Sequence, residues 1–581
     1  MKRILFVLTL FLFAQPTFSQ EIQWWNPEDG DFSVVQGQGW QEGLQHFYDR
    51  LPAKMEHKVR KPVWRLSQEA AGLNIRFRTK ATDIYVRYTV GRKLNMPHMP
   101  TTGVSGVDLY AIDEDGNWQW SGQWSGGFHF GDTIKYHYTH LPDKYVKEYR
   151  LYLPLYNNVK WLEIGVPNGS KLTWLPINPD KPIVVYGTSI AQGACASRPG
   201  MAWTAILGRR MHRSVINLGF SGNGLLEKPI IDLLKELNPE MYVLDCLPNM
   251  TRFPDDTIER RLTSAVRELR KAKPDIPVLI VEDPHAPMES LDKKIDNQSE
   301  RVNEVAEKVF TKLKASGMES IYLLTAEDIG FGIESTVAGL HPNDYGMMQY
   351  ADAYEKIIRK ILNQPKGKYS TTQPLKQYRD KSYDWNARHR KELALIRKNS
   401  PEVVFLGNSI THFWGGLPEG PRRSGADSWA KYFKAYHIQN LGYGWDRIEN
   451  VLYRVYHGEL DGYEAKQVLI NIGTNNLAFN SDKEIVAGMK LLIGAVKERQ
   501  PDAKILVIGI YPRKGGEQRI VKLNQKIVRL CGMENVNYTD PGVKLLKDNG
   551  KIDTSLFIDG RLHPNAKGYR ILGTAIAPYL E

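Results

Sequence analysis

The sequence predicts a multidomain protein in which an all-β sandwich precedes two α/β domains, each built on a parallel sheet. Three observations predict this fold class. The N-terminal third contains runs of alternating apolar and polar residues without helices between them. After about residue 180, apolar strands alternate with amphipathic helices, which is typical of a parallel sheet covered on both faces. This alternation starts again near residue 383, after a polar segment that contains prolines.

Length and composition limit the class of protein. The chain has 581 residues, which is too many for a single hydrophobic core. An apolar content of 42% and a charged content of 24% are typical of a folded globular protein. The net charge is +12, but the basic residues are spread along the chain, so a solvated surface is the simpler interpretation. An acidic polymer is an alternative partner, whereas nucleic acid is not expected.

The N-terminus predicts export. Residues 1–19 contain two basic residues, an apolar run from Ile4 to Ala14 and a small residue at Ser19, which together are typical of a cleaved signal peptide. No cysteine lies near this point, so a lipoprotein anchor is not expected. No later apolar run is long enough to span a membrane. We therefore expect a periplasmic or extracellular protein.

Residues 20–178 are predicted to form the β-sandwich. Segments 73–79 and 84–90 alternate apolar and polar residues, and Gly, Pro and Asn separate such runs. Aromatic faces stack on sugar rings, so carbohydrate contact is one interpretation of the tryptophans here, while packing is the simpler one for any single residue. Nine of the fourteen tryptophans lie in this region, including Trp24, Trp25, Trp118, Trp120 and Trp124.

The two α/β domains are predicted over residues 179–363 and 383–581, with a linker at 364–382. Both domains end in nearly the same short sequence, "GLHPNDYG" around His341 and "RLHPNAKG" around His563. Each of these histidines follows a serine turn, at Ser189 and Ser409, by about 150 residues. Two copies at nearly equal spacing indicate a duplicated domain. A serine and a histidine are also the residue types of a nucleophile and its base.

Four positions in each half follow the carboxyl ends of predicted strands, where functional groups gather in open parallel sheets. A serine alkoxide needs a base, and the tetrahedral oxyanion needs donors such as the serine N–H, a loop N–H and an asparagine side chain. The sequence predicts these groups twice, in the same order. The positions are Ser189, the loop 217–224, Asn249 and His341, and then Ser409, the loop 440–446, Asn475 and His563.

Other kinds of site are not indicated. Neither serine lies in a G-x-S-x-G motif, and the chain has no H-E-x-x-H motif and no Walker loop. Its three cysteines, Cys195, Cys246 and Cys531, are too few for a disulfide framework and lack metal-ligand spacing. Cys195 and Cys246 fall in site-forming loops, where buried inert thiols are the simplest interpretation.

These motifs resemble a known family. The blocks "GTSI", "GFSGN", "LPN" and "LHPND", like "GNSI", "GYGWD", "GTNN" and "LHPN", resemble the four blocks of the SGNH (GDSL-type) hydrolases. The second half is similar to the branch that contains platelet-activating-factor acetylhydrolase. The sequence "GVDLY" at 106–110 resembles the sandwich that precedes SGNH domains in many bacterial proteins. The resemblance implies a flavodoxin-like α/β/α fold for each domain and ester hydrolysis without a metal or cofactor.

The resemblance also implies a role for each candidate residue. In this family a serine is the nucleophile, a histidine is the base, and an asparagine and a loop N–H bind the oxyanion. The implied nucleophiles are Ser189 and Ser409, the bases His341 and His563, the side-chain donors Asn249 and Asn475, and the loop donors Gly222 in the first domain and Trp445, after Gly444, in the second.

The chain departs from the family pattern beside both histidines. The family usually places an aspartate three residues before the histidine, whereas Ala338 and Gly560 stand there in this sequence. One extra loop residue would let Asp559, four residues before His563, reach that ring. In the first domain no carboxylate on that side is closer than Glu334, so a Ser–His dyad oriented by a backbone carbonyl is the alternative. Loss of the orienting carboxylate costs up to about 10⁴ in turnover in serine proteases.

We therefore expect an exported bacterial serine esterase, foremost a carbohydrate O-acetylesterase that acts through an acyl-serine intermediate on an acylated carbohydrate or another small ester. One alternative is a lipid or short-acyl ester hydrolase. The other is a carbohydrate-binding protein in which one or both SGNH domains are inactive, because a duplicated domain can lose its activity.

Overall fold

The structure, a computed structural model, describes residues 21–122, 127–144, 147–295 and 297–580. The predicted signal peptide and Trp124 lie outside these ranges. No helix in the described part of the chain is long and apolar enough to cross a membrane.

The N-terminal region is a sandwich of two antiparallel sheets, as predicted. One sheet has the strand order β1-β10-β4-β8-β7, and the other has the order β11-β3-β9-β5-β6, with β2 beside β3. The apolar members of each alternating run face inward and form one core between the sheets. The elements are β1 Ile22–Trp25, β2 Val35–Gln36, α1 Lys61–Ser67, β3 Asn74–Thr79, β4 Ile84–Val90, α2 Thr101–Val104, β5 Asp108–Ile112, β6 Trp118–Ser121, β7 Phe128–His129, β8 Ile134–Tyr138, β9 Lys147–Tyr152, β10 Val159–Pro167 and β11 Leu172–Trp174.

The first α/β domain has a five-stranded parallel sheet of order β13-β12-β14-β15-β16. Helices cover both faces, and each face has its own apolar core. The elements are β12 Ile183–Gly187, α3 Ser189–Gln192, α4 Trp203–Arg210, β13 Val215–Gly219, α5 Lys228–Leu234, β14 Met241–Asp245, α6 Asp255–Ala272, β15 Val278–Val281, α7 Gln298–Ala315, β16 Ile321–Leu324, α8 Ala326–Ile329 and α9 Asp344–Ile361.

The second α/β domain repeats this topology with the order β18-β17-β19-β20-β21. The predicted pair of α/β/α flavodoxin-like domains is therefore confirmed. The elements are α10 Trp385–Asn399, β17 Val403–Gly407, α11 Ser409–His412, α12 Ala426–Tyr432, β18 Ile438–Gly442, α13 Ile448–Arg454, a π-helical turn Val455–Glu459, β19 Gln467–Asn471, α14 Asp482–Arg499, β20 Lys504–Ile508, α15 Glu517–Met533, β21 Asn537–Thr539 and α16 Ala566–Ile576.

The sandwich packs directly against the first α/β domain through a buried arginine. Arg50 Nη1 donates to the backbone carbonyls of Asn217 and Gly219 at 3.0 and 2.9 Å, and both residues belong to β13, which ends at Gly219. Its Nε and Nη2 donate to the carbonyls of Glu69 and Leu66. Four carbonyl acceptors satisfy this buried cation, so the sandwich supports the strand that leads into the first candidate loop.

The segment predicted as a linker, 364–382, also contacts the folded parts on either side. Tyr378 OH donates to Glu148 Oε2 of the sandwich at 2.8 Å, and Arg379 pairs with Asp115 at 2.7 Å. Lys376 and Gln377 are buried. The polar side chains of this segment therefore serve contacts between domains, and the proposed domain boundaries stay a prediction.

A buried charge network lies beneath the second sheet and reaches the first domain. Arg454 contacts Asp446 at 2.9 Å and also pairs with Glu459, and all three side chains are excluded from solvent. Glu459 contacts His389 Nδ1 at 2.9 Å, and His389 Nε2 lies 3.7 Å from Asp180, which precedes β12. Because a buried charge is tolerated when it is paired, this chain of ion pairs fixes the two α/β domains against each other.

Two candidate active sites

Each candidate serine begins a short helix directly after the first strand of its sheet. Ser189 follows β12 and Ser409 follows β17, and each is the first residue of a one-turn helix. The preceding side chain caps that helix, because Thr188 accepts from the N–H of Ile190 and Asn408 accepts from the N–H of Ile410. The cap fixes the backbone of the turn and places both hydroxyls at the carboxyl edge of the sheet.

Both serines meet the predicted histidines. Ser189 Oγ lies 2.9 Å from His341 Nε2, and Ser409 Oγ lies 3.0 Å from His563 Nε2. Both distances allow the imidazole to accept the hydroxyl proton. The "HPN" sequence explains the position of the His341 and His563 imidazole rings. Its asparagine caps the following helix, and the histidine two residues earlier is thereby held at the start of α9 or α16.

The second site contains a complete Ser–His–Asp arrangement. Asp559 Oδ2 lies 3.0 Å from His563 Nδ1. Asp559 Oδ1 accepts from the backbone N–H groups of Arg561 and Leu562 at 2.9 and 2.8 Å. Partial burial opposes the ionisation of Asp559, but these N–H groups and the His563 ring outweigh it and lower its pKa to about 2. The extra loop residue noted in the sequence therefore does let the carboxylate reach the ring.

The first site has no carboxylate at the corresponding place. Within the described residues, the His341 ring makes one hydrogen bond, to Ser189, and no carboxylate lies within 4.0 Å of it. The backbone carbonyl of Glu334 accepts from Asn343 Nδ2, and its carboxylate makes no ion pair with His341 in the described residues. The ring of His98, from the sandwich, instead packs beside His341 with the centroids 5.6 Å apart. Burial, and then the neighbouring His98, lower the pKa of His341 to about 4.

The candidate oxyanion donors of the first site lie after β12, β13 and β14. Gly222 has a left-handed backbone with φ +68°, three residues after β13 ends. Asn249 Oδ1 accepts from the N–H of Gly224 at 3.1 Å, so the orientation of the amide is fixed and its NH₂ group faces away from that contact. The N–H groups of Ser189 and Gly222 donate to no other residue in the described ranges. The N–H groups of Ser189 and Gly222 and the NH₂ group of Asn249 are therefore the candidate oxyanion donors of this site.

The second site keeps the same loop geometry although a tryptophan replaces the glycine. Trp445 lies three residues after β18 ends and has φ +63°, which matches Gly222. A bulky residue in this conformation costs about 1–2 kcal/mol, so the surrounding contacts must hold it. Its indole is 47% exposed. Asn475 Nδ2 donates one hydrogen to the Asp446 carbonyl at 3.0 Å, which leaves the other for a substrate.

Gly444 anchors this loop. Its N–H donates to His412 Nδ1 at 3.1 Å, and its carbonyl accepts from Gln377 Nε2 and Tyr383 OH at 2.7 and 3.1 Å. Burial, and then two nearby arginines, lower the pKa of His412 to about 2, so the ring is neutral and can accept. Because the N–H of Gly444 is already used, the N–H of Trp445 is the candidate loop donor of this site.

Two further side chains lie near the first site, and the sequence placed only Cys195 in a site-forming loop. His98 comes from the sandwich, and Cys195 lies in the turn after α3. His98, Cys195 and His341 are the one group of three metal-ligating side chains found close together in the described part of the chain. No local motif marks His98, because it reaches the site only through the packing of two domains.

Comparisons with known proteins agree with this architecture. Models of the GDSL-like Lipase/Acylhydrolase family match residues 180–359 and 405–571, and a model of the N-terminus of Esterase_SGNH_hydro-type matches residues 22–172. A solved structure of a GDSL-like lipase from Bacteroides ovatus is 31% identical, with a TM-score of 0.54. The match covers 59% of this chain and 98% of that one. This chain belongs to the SGNH (GDSL-like) hydrolase family.

This SGNH hydrolase therefore has a GxDLY-type sandwich and two GDSL-like domains, and it is an enzyme of the class that acts on ester bonds. Platelet-activating factor acetylhydrolase IB subunit alpha2 of Homo sapiens is 29% identical over 192 residues, which cover 32% of this chain and 78% of that protein. The alpha1 subunit of Bos taurus is 27% identical over 190 residues, with 32% and 77% covered.

Proposed function

We propose that this SGNH hydrolase is an exported bacterial carbohydrate O-acetylesterase with two working sites. The observation that carries the proposal is the pair of Ser Oγ–His Nε2 contacts, at 2.9 and 3.0 Å, at equivalent places in two domains. A domain that had become a binding module would be under no need to keep both groups within proton-transfer distance.

The first half of the reaction acylates the serine. The serine oxygen attacks the ester carbonyl carbon while the histidine Nε2 takes the hydroxyl proton. The carbonyl oxygen becomes an oxyanion, which accepts hydrogen bonds from the serine N–H, the loop N–H and the asparagine amide. The intermediate collapses when the C–O bond to the alcohol breaks, and the histidine gives its proton to the departing alcohol oxygen. The acyl group stays on the serine.

The second half releases the acid. A water molecule attacks the acyl carbon while the same histidine takes a proton from it. The same three donors bind the second oxyanion. When the bond to the serine oxygen breaks, the histidine returns the proton to that oxygen, so the enzyme is regenerated and one carboxylic acid leaves. In the second site Asp559 orients His563 and stabilises its cationic form during both halves.

A small acyl group suits the second site. We infer that Trp445 provides the loop N–H, which brings its Cα close to the place where the oxyanion forms. The indole leaves less room there than the glycine of the first site. The similar mammalian proteins are named as acetylhydrolases, which supports acetyl as the acyl group.

Exposed aromatic faces support a sugar as the alcohol part. Trp445 of the second domain is 47% exposed, and Trp120 of the sandwich is 52% exposed. A flat apolar face with a polar edge can stack on a sugar ring. The signal-peptide pattern of residues 1–19 supports export to the periplasm or the cell exterior, where an enzyme can reach acetylated polysaccharides.

A lipid or short-acyl ester is the alternative substrate, and one feature of the first site favours it. Met288 and Val337 are 40% and 50% exposed. Both adjoin the His341 loop, because the N–H of Val337 donates to the His341 carbonyl and the N–H of Met288 donates to the Gly339 carbonyl. Exposed apolar side chains at the rim of a site suit an apolar substrate group.

The test is acetate release from acetylated xylan, with p-nitrophenyl acetate and p-nitrophenyl octanoate as comparison substrates. The enzymes are the wild type, Ser189→Ala, Ser409→Ala and the double variant. We expect each single variant to keep the activity of the other site and the double variant to lose serine-dependent turnover by about 10³-fold or more. Turnover of the octanoate ester alone would favour the lipid alternative. No serine-dependent turnover on any of the three would contradict the esterase proposal.

A further inference from the structure

A cluster of three potential metal ligands lies at the first site. One ligand atom each from His98, Cys195 and His341 lies within 4.8 Å of the others. The three residues come from separate segments, namely the loop before α2, the turn after α3 and the loop before α9. Their convergence is therefore a product of the tertiary structure.

The cluster is held in position by its backbone. Met96 and Met99 pair as an isolated bridge, so His98 lies at the tip of a tight turn. Cys195 has a left-handed backbone with φ +69° and is buried, and its Sγ donates to the carbonyl of His98 at 3.3 Å. Thr102 Oγ1 donates to the carbonyl of Ser197 at 2.7 Å, which ties the two loops together. A preorganised set of donors loses little entropy when it binds an ion.

Two imidazoles and a thiol are the donor set that Zn²⁺ prefers. At the usual zinc–ligand distances, neighbouring ligand atoms of a tetrahedral site are about 3.3–3.6 Å apart, so the present separations need to close by about 1 Å. Rotation of the half-buried His98 side chain can supply much of that movement. Three protein ligands and one open position are the arrangement found in zinc sites that are accessible to small molecules.

Among the described residues, the second domain has no such cluster. The counterpart of Cys195, six residues after the serine, is Gly415. The ring beside His563 is that of Phe413, with the centroids 5.4 Å apart, and it offers no ligand atom. The two domains therefore provide an internal comparison within one chain.

We propose that the first site binds Zn²⁺ through His98, Cys195 and His341 and that this binding switches off Ser189. A neutral imidazole has one lone pair, so a metal bound at either nitrogen of His341 removes the lone pair that would accept the serine proton. On binding, Cys195 loses its thiol proton to solvent and coordinates as the thiolate. The loss of Ser189 activity on Zn²⁺ binding rests on the proposed esterase function, whereas Zn²⁺ binding itself does not.

Binding is tested with Co²⁺, because a thiolate bound to Co²⁺ gives a charge-transfer band in the near ultraviolet. The untagged protein is stripped with a chelator and titrated with Co²⁺, and then Zn²⁺ is added. We expect one equivalent of Co²⁺, a thiolate band, and loss of the band when Zn²⁺ displaces Co²⁺. The band should disappear in Cys195→Ser, and the Co²⁺ affinity should fall at least about ten-fold in His98→Gln. Cys531→Ala is the matched control and should retain the band.

Inhibition is tested in the single-site variants. Zn²⁺ at saturation should lower Ser189-dependent turnover at least about ten-fold in Ser409→Ala and change the turnover of Ser189→Ala less than about two-fold.

Absence of the band in the wild type, or its persistence in Cys195→Ser, would overturn the binding site. A band without any effect of Zn²⁺ on Ser189-dependent turnover would overturn the switch. A third outcome separates the two proposals. If Ser409→Ala shows the thiolate band but no turnover even without metal, the metal site is supported and the proposed function of the first site is refuted.

Discussion

Asp559 Oδ2 lies 3.0 Å from His563 Nδ1, whereas the His341 ring has no carboxylate within 4.0 Å among the described residues. The two domains thus share the serine–histidine contact but differ in what orients the histidine. The carboxylate fixes the tautomer and ring orientation of His563. The first site depends on packing, including the contact with the His98 ring. This difference makes the two sites separable by experiment.

Asp559→Asn should disable the second site. The asparagine would favour the wrong tautomer of His563, so we expect kcat to fall by up to about 10⁴ in a Ser189→Ala background. The measurement is turnover of p-nitrophenyl acetate. The same change in a Ser409→Ala background should alter turnover less than about two-fold, because the sites lie in separate domains. If kcat in the Ser189→Ala background falls less than about ten-fold, Asp559 does not orient His563.

The first site should work at unusually low pH. Burial, and then His98, lower the pKa of His341 to about 4, so the ring keeps its lone pair down to that pH. The kcat/KM of Ser409→Ala on a neutral ester should therefore decline on the acid side with a midpoint near pH 4. Far-ultraviolet circular dichroism recorded at each pH controls for acid unfolding. A midpoint near 6.5, the ordinary value of an imidazole, would contradict the inferred environment of His341.

Trp445→Gly should keep the second site active and widen it. The backbone N–H survives the substitution, and glycine adopts φ +63° without the cost of about 1–2 kcal/mol that a bulky residue incurs. In a Ser189→Ala background, we expect kcat on p-nitrophenyl acetate within about five-fold of the parent and a higher kcat/KM for the octanoate ester. Trp445→Ala separates the effect of pocket size from that of backbone strain. It removes the indole but keeps a residue with a Cβ at φ +63°. A loss of about 10² or more on the acetate ester in both variants would show that the indole takes part in catalysis.

Stability should depend on pH through His389. Burial opposes its charge, but Asp180 and Glu459 outweigh burial and raise the pKa of His389 to about 8. A pKa raised by folding stabilises the protein below the unfolded value of about 6.5, and this contribution, on the order of 2 kcal/mol, is lost as pH rises through about 8. The urea midpoint should therefore fall between pH 6.5 and pH 9. His389→Gln should be less stable at pH 6.5 and show a smaller fall. An equal fall in both proteins would contradict this role.

The sequence predicted the features that depend on local patterns. The alternation of residues 73–79 and 84–90 predicted sandwich strands, and the repeated serine and histidine motifs predicted two parallel-sheet domains. These signals are local, because the alternation of side chains in a strand, the residues of a turn and the caps of a helix each depend on a few neighbouring residues. Asp559 was predicted to reach His563 although it stands four residues before the histidine and not three, because one extra loop residue allows that contact.

The features that the sequence did not predict depend on tertiary packing. His98 belongs to the sandwich and meets His341, 243 positions later, only because the two domains pack together. Gly222 and Trp445 share a backbone conformation that becomes visible when the two domains are compared. Lys376 and Gln377 lie in a polar segment that is typical of a solvated linker, yet they are buried because their polar groups face partners in neighbouring domains.

The central claim, that one chain holds two activated serines, is tested most directly by a fluorophosphonate probe followed by intact-protein mass spectrometry. The probe phosphonylates a serine whose proton a neighbouring histidine can accept, so the label count reports working serine–histidine pairs independently of the substrate. We expect two labels on the wild type, one on Ser189→Ala, one on Ser409→Ala and none on the double variant. A wild type that takes one label or none, or a label that persists in the double variant, would contradict the account.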